Sequence, residues 1–276
     1  MAYKIPTSTY SIPITKIDKN FAARIAYFGR SPQVEIIREA ELMRLRTNVS
    51  FPHYIFNVVP TANFSSAESA HAHIRTVIED TRARNTAIFW SVGPTTAPVD
   101  LGYYLEAHGF EHVMSCTGMT LDLGLLREEA PVPSGFTVER VVNKARLKQF
   151  VDVLAENSQM TRAAAEALYQ IETSLGFDSY LPRQRYLGLW YGQPVATTTL
   201  VSGGGLAGIY HVATVAQARG YGIASAMSLS ALQDAHRWGF RQVSLIATPQ
   251  GQSVYRRLGF QPRAEFKVYL WTARDN

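Results

Sequence analysis

Residues 217–224, which read Gln-Ala-Arg-Gly-Tyr-Gly-Ile-Ala, have the types and spacing of an anion-binding turn. They follow an apolar strand-like run, residues 209–215, and open a helix-like segment that reaches Trp238. Gly220 and Gly222 let the backbone come close to a ligand, and the first N–H groups of a helix have no partner inside the helix. The pattern therefore predicts that the N–H groups of residues 219–224 bind a phosphate, with help from the helix dipole.

A second segment, Tyr-Arg-Arg-Leu-Gly-Phe at residues 255–260, follows in the same half of the chain. In this order the two segments resemble the GCN5-related N-acetyltransferase (GNAT) family, which has Q/R-x-x-G-x-G/A for the pyrophosphate of acetyl-CoA and Y-x-x-x-G-F near its end. Residues 247–255 resemble the family variant A-T-P-x-G-x-x-L-Y. The resemblance implies acetyl-CoA, or another acyl-CoA, as co-substrate, no metal, and direct transfer of the acyl group to an amine of a small molecule.

The resemblance also implies roles for particular residues. Tyr255, five residues before Phe260, matches the tyrosine that protonates the leaving CoA thiolate, although it could instead only pack under the cofactor. The strand before the loop would splay away from the next strand, bind the pantetheine arm and direct an N–H at the thioester oxygen. Arg219 could add a charged contact or lie at the surface. The expected cofactor-binding residues are Val212, Ala213, Thr214, Gln217, Arg219, Gly220, Tyr221, Gly222, Ile223, Ala224 and Ser225.

A general base is harder to predict, because the strand before the loop has no carboxylate. Its imidazole, His211, is the second catalytic candidate and could accept a proton near neutral pH; the alternative is a histidine that is hydrogen-bonded within the sheet. Thr248 stands where the family often has an asparagine, seven residues before the tyrosine. The sequence therefore leaves undecided whether this position contacts the cofactor.

Other polar residues could shape the acceptor site. Glu172 and Asp178 follow the second predicted helix of this half and could bind a cationic acceptor or be solvated. His53 and His108 could reach across from the first half of the chain. The aromatic stretch 51–56 could line the acceptor site or belong to the core.

The pattern around these residues predicts a mixed α/β fold. Residues 136–271 read as strand, two helices, three antiparallel strands, helix, strand, helix and strand, which is the element order of a GNAT domain. The expected sheet is central, mostly antiparallel and splayed at the cofactor site. A Rossmann dinucleotide site fits less well, since Ser225 stands where its third glycine would be.

The first half contains a weaker copy of the same pattern. Residues 104–110 end in Gly-Phe, as residues 255–260 do, and the two pairs lie 150 positions apart. A predicted helix over residues 65–84 begins without a Gly-x-Gly turn. We therefore expect a duplicated fold, with a degenerate GNAT-like domain over residues 1–125, a Pro-containing linker within 124–135 and a catalytic GNAT domain over 134–276.

Composition narrows the class of protein. The 276 residues are 46% hydrophobic and 18% charged, which is enough for a packed core. One cysteine, Cys116, excludes an internal disulfide, and a cytoplasmic location is the simplest expectation. The net charge of +5 is spread without a basic block, so we do not expect nucleic-acid binding. No run approaches the roughly 18 apolar residues that a membrane helix needs, so we do not expect a membrane partner.

Two rival functions remain open from the sequence. A GNAT-fold enzyme could use acyl-CoA for O-acylation or thioester cleavage, which the missing carboxylate leaves possible. A non-catalytic acyl-CoA-binding module is the other alternative, against which Tyr255 argues.

Overall fold

The computed structural model describes residues 13–126 and 132–273. The central part of the predicted linker, residues 127–131, lies outside the described residues. Within them the chain forms seven α-helices and eleven β-strands.

The first half contains three helices and five strands. Its first helix and the three strands after it have no counterpart among the elements expected from the sequence, whereas the helix predicted over 65–84 is present. In chain order these elements are α1 (Ile14–Tyr27), β1 (Glu35–Arg38), β2 (Leu42–Arg46), β3 (Val58–Ala62), α2 (Ala67–Ala83), β4 (Ala87–Val92), α3 (Leu101–Ala107) and β5 (Glu111–Asp122).

The second half follows the predicted element order throughout. Side-chain caps start its first two helices, since Asn143 accepts a hydrogen bond from the N–H of Arg146 and Thr161 accepts one from the N–H of Ala164. The elements are β6 (Phe136–Arg140), α4 (Lys144–Asn157), α5 (Arg162–Ser174), β7 (Arg183–Trp190), β8 (Gln193–Gly203), β9 (Leu206–Thr214), α6 (Ile223–Arg237), β10 (Gln242–Ala247), α7 (Gln252–Arg257) and β11 (Gln261–Thr272).

All eleven strands form one continuous sheet in which the two halves exchange their last strands. The order is β1-β2-β3-β4-β11-β5-β10-β9-β8-β7-β6. The final strand of the chain, β11, lies between β4 and β5 of the first half, and β5 in turn pairs with β10 of the second half. The parallel pair β3–β4 and the parallel pair β9–β10 therefore flank the β11–β5 pair on its two sides.

The repeated Gly-Phe segments have the same local geometry. The N–H of Phe110 donates to the carbonyl of Leu105 at 3.0 Å, and the N–H of Phe260 donates to the carbonyl of Tyr255 at 3.0 Å. The preceding glycines are both left-handed, with φ of 84° at Gly109 and 96° at Gly259. Buried Leu105, and not Tyr104, is thus the first-half counterpart of Tyr255, so the first half lacks the tyrosine.

Helix α1 joins the first half to the β8–β9 hairpin of the second. Asn20 is fully buried, and its side-chain amide donates to the carbonyls of Gly203 at 2.8 Å and Leu206 at 3.1 Å. The hydroxyl of Tyr210 donates to Asn20 Oδ1 at 2.6 Å. The main hydrophobic core accordingly includes residues of both halves, such as Phe28 and Phe150.

Among the helices of the described residues, none is both long and apolar enough to cross a membrane.

Candidate active site

The parallel strands β9 and β10 pair along only a short part of their length. The register brings Ala207 opposite Val243 and Gly208 opposite Ser244 and does not continue beyond them. Residues 209–214 of β9 therefore have no strand partner on the β10 side among the described residues. The sheet is splayed there, as the fold prediction required.

The splay opens into a cleft of about 630 Å³, called here the main cleft. Residues 211–214 of β9, the start of α6, the end of α4 and residues 248–257 around α7 line it, with His53, Tyr54 and Ile55 from the first half. All the predicted cofactor-binding residues border it except Gln217 and Tyr221. Tyr221 instead packs on Trp190, with ring centroids 4.7 Å apart.

The glycine turn leads into helix α6 at the edge of this cleft. Gly220 and Gly222 both have left-handed backbones, with φ of 87° and 79°. Gly222 is the N-cap of α6 and offers no side chain to the first N–H groups of that helix. A helix that begins without a side-chain cap leaves these donors for a ligand.

The equivalent helix start in the first half is occupied by the protein itself. Ser66 caps α2 through a hydrogen bond from the N–H of Ser69. Glu41 accepts the N–H of Ser65 at 2.6 Å and also the hydroxyl of Ser69. These hydrogen bonds lower the pKa of Glu41 to about 2. A carboxylate thus stands at this helix N-terminus, where an anion is favoured.

Arg219 connects the glycine turn to its neighbours. Its Nε donates to the carbonyl of Thr214 at 3.0 Å, and its Nη2 donates to Oδ1 of Asn157 at 2.9 Å. The side chain therefore fixes the end of β9 against the end of α4. It remains largely exposed at the mouth of the cleft, where its charge favours an anion.

A β-bulge in β9 brings His211 into the cleft. Thr197 faces Ala213 and Thr199 faces Tyr210, so His211 and Val212 together lie opposite one residue of β8. His211 has a φ of 51°, a left-handed conformation uncommon for a residue with a Cβ. Bulges of this kind redirect side chains beside functional sites.

The contacts of His211 do not favour the predicted role as a general base. Nε2 lies 2.7 Å from Nη2 of Arg24 on α1. Because a guanidinium can only donate, Nε2 must accept, and its lone pair is already used. Burial lowers the pKa of His211 well below its ordinary value, and the charges of Arg24 and Arg183 lower it further. His211 is therefore a neutral acceptor for Arg24.

Tyr255 lies on α7 with its ring against Phe260, at a centroid separation of 5.8 Å in an edge-on arrangement. The side chain is 9% exposed and borders the main cleft. Its hydroxyl makes no hydrogen bond with any described residue. Burial, and to a lesser extent Tyr54, raises the pKa of the phenol above its ordinary value, so the group remains protonated near neutral pH.

The acceptor-binding role considered for Glu172 is wrong for this geometry. Its side chain is fully buried and forms ion pairs with Arg183 and with Arg185, the latter at 2.9 Å. Burial alone would raise the pKa of Glu172, but the two guanidiniums lower it below the ordinary value. The carboxylate has no free face for a cationic acceptor.

Of the remaining polar candidates, two line the main cleft and two lie outside it. Asp178 is exposed and outside the main cleft. His108 lies 2.8 Å from His71 between α3 and α2, away from the cleft. His53 does reach it and stacks on Tyr54 at 4.4 Å. Thr248 lines the cleft as well.

Several solved structures with a similar architecture are described as GNAT proteins. A GCN5-related N-acetyltransferase from Kribbella flavida superposes with a TM-score of 0.70 at 18% identity, covering 95% of this chain and 96% of that one. A tandem GNAT protein from the clavulanic acid biosynthesis pathway gives 0.61 at 13% identity, covering 95% and 94%. A GNAT-family putative acetyltransferase from Novosphingobium aromaticivorans gives 0.52 at 14% identity, covering 94% and 99%.

No protein-family model and no curated protein sequence matches the chain. The splayed mixed sheet and the structural similarity over nearly the whole length nevertheless define the fold. The chain has the GNAT fold, and the fold predicted from the resemblance of the glycine turn and the Gly-Phe segment to the GNAT family is confirmed.

Proposed function

We propose that this protein is an acyl-CoA-dependent N-acyltransferase that transfers an acetyl group to the amine of a small molecule. One observation carries the proposal: the unpaired edge of β9 runs into the two-glycine start of α6, and both border the cleft that contains Tyr255. The GNAT fold supports acyl-CoA chemistry as a class.

The residues of the main cleft fit an acyl-CoA. Thr214 has a buried hydroxyl with no hydrogen-bond partner, which a ligand in the splay can satisfy. A Cβ built on Gly220 would meet no atom within 4 Å, so the turn has open space on its ligand side. The first N–H groups of α6 and Arg219 would hold the phosphates, and Val212, Ala213 and Thr214 would hold the pantetheine arm. When bound, the acyl-CoA supplies an activated acyl group as a thioester.

Proton transfer to the departing sulfur is assigned to Tyr255. Its hydroxyl is protonated and makes no hydrogen bond with a described residue, and the side chain borders the cleft. Burial raises the pKa of the phenol, and it also destabilises a thiolate beside the phenol. The same environment therefore makes the departing CoA thiolate a stronger base, which favours proton transfer from Tyr255. No described carboxylate is free to deprotonate the amine beside Tyr255, and we therefore expect the acceptor to bind in its neutral form.

We further propose a division of labour between the halves, with the cofactor bound by residues 134–276 and the acceptor side covered by residues 1–125. Glu41 at the start of α2 and Leu105 in place of the tyrosine support this assignment. Tyr54 and His53 extend from the first half over the cleft of the second.

A turnover assay tests the proposed function. Acetyl-CoA is incubated with the full chain and a panel of amines, matched alcohols and no acceptor, and the released thiol is measured. The proposal expects thiol release that depends on an amine and an N-acetyl product by mass spectrometry. Release without an acceptor would indicate thioester cleavage, release with alcohols would indicate O-acylation, and tight binding without release would indicate a non-catalytic module.

A further inference from the structure

A smaller apolar cavity adjoins the main cleft on its inner side. This inner cavity has a volume of about 190 Å³ and shares Tyr54, Met114 and Thr248 with the main cleft. Aromatic and aliphatic side chains line it, among them Phe21 of α1 and Phe266 of β11. An apolar cavity of about 150 Å³ can accommodate a benzene ring, so this one has room for a small apolar group.

Among the described residues, the one charged side chain that lines the inner cavity is Arg24 of α1. It is 1% exposed, and its guanidinium lies over the rings of Tyr210 at 4.7 Å and Tyr54 at 5.3 Å. Its single side-chain hydrogen bond among the described residues goes to neutral His211, and its Nε is buried with no partner. No described carboxylate forms an ion pair with it.

The surrounding charges leave this guanidinium uncompensated. Glu172 is the buried carboxylate of the region, and it is already paired with both Arg183 and Arg185. Three guanidiniums against one carboxylate leave two positive charges uncompensated, and Arg24 is the guanidinium that has no carboxylate partner among the described residues. A buried charge that is neither paired nor fully hydrogen-bonded is costly, and a planar guanidinium is the side chain best suited to bind a carboxylate with two parallel hydrogen bonds.

We propose that Arg24 binds a carboxylate carried by the acceptor, and that the acceptor is therefore an amino-acid-like amine with an apolar side chain that enters the inner cavity. This inference rests on the proposed function, because it specifies the substrate class of the same site. The cation–π contacts with Tyr54 and Tyr210 hold the guanidinium in place before the ligand arrives.

The test separates binding of the carboxylate from catalysis. Calorimetry uses 3-phenylpropanoate, which has the carboxylate and ring without an amine, and 3-phenylpropanol as the matched uncharged probe. Turnover with acetyl-CoA compares phenylalanine with its methyl ester and with 2-phenylethylamine, and a second series replaces acetyl-CoA by succinyl-CoA. The variants are Arg24→Leu and Arg24→Lys, with Arg44→Leu as the control for loss of a buried arginine outside both cavities.

The proposal expects phenylpropanoate to bind the parent protein and to lose at least about tenfold in affinity in Arg24→Leu, with a smaller loss in Arg24→Lys and none in Arg44→Leu. It expects phenylalanine to be preferred over its methyl ester, with the preference lost in Arg24→Leu. Since the binding arm needs no acyl transfer, an Arg24-dependent affinity without turnover of any amine would retain Arg24 as a carboxylate-binding residue, but it would remove the proposed function and with it the assignment of that carboxylate to an acceptor.

Three results would overturn the assignment. One is equal binding of phenylpropanoate and phenylpropanol by the parent protein, which needs no variant to fold. Another is equal turnover of phenylalanine and its ester. The third is an effect of Arg24 that appears with succinyl-CoA alone, because the carboxylate would then belong to the acyl group and not to the acceptor.

Discussion

Tyr255 is the residue on which the proposed chemistry depends most. We expect Tyr255→Phe to lower kcat by about 10²-fold or more and to leave the affinity for acetyl-CoA nearly unchanged, because the ring still packs on Phe260 while the proton donor is lost. Tyr104→Phe, in the corresponding helix of the first half, is the matched control. If Tyr255→Phe keeps more than half the parent activity, the tyrosine only packs.

His211 should make stability depend on pH. Folding lowers the pKa of its imidazole from the value of about 6.5 that it has in the unfolded chain. Below that pH the imidazole is therefore protonated in the unfolded chain and still neutral in the folded one. Stability is therefore complete above that pH and is lost as the pH falls, by at most about 1.4 kcal/mol per pH unit from this group. We expect urea unfolding between pH 7 and pH 5 to show a shallower decline in His211→Gln. An unchanged slope would mean that folding does not lower the pKa of His211.

At the scale of elements, helix α1 should be essential for the β8–β9 hairpin. Asn20→Ala removes the side-chain hydrogen bonds to the carbonyls of Gly203 and Leu206 and to the hydroxyl of Tyr210. These buried groups would then lack a hydrogen-bond partner, which should lower the free energy of unfolding by about 2–4 kcal/mol. Urea denaturation measures the loss. Exposed Asn48→Ala, which removes one surface contact with Arg84, should change stability by less than about 0.5 kcal/mol. Similar values for the two variants would contradict this role of α1.

The elements of the second half could be predicted from sequence because caps, glycines and periodicity agree there. The helix-like segment that follows the glycine turn and reaches Trp238, for example, forms α6 (Ile223–Arg237). Helix α1 was missed, although Ile17, Phe21 and Ile25 have helical spacing and are buried. Its most consequential residue, Arg24, could not be predicted, because a buried arginine among aromatic rings depends on contacts with Tyr54 and Tyr210 that are distant in sequence.

At the scale of the whole molecule, the strand exchange couples the two halves. Both strand neighbours of β11 belong to the first half, so an isolated 134–276 segment would leave that strand without a partner. We expect the segment alone to be insoluble or inactive. A soluble, monomeric and fully active 134–276 segment would show that the first half is an independent appendage.

The most direct test of the central claim is calorimetric titration of the full chain with acetyl-CoA. The account predicts one site per chain, because the glycine turn begins α6 only and Glu41 occupies the start of α2. Gly222→Val should abolish or strongly weaken binding, since a branched side chain would enter the phosphate position. Gly192→Val, at an exposed turn with the same φ of 79°, carries the same backbone strain and should bind normally. Unchanged affinity in Gly222→Val, two sites per chain, or no binding by the parent protein would contradict the account.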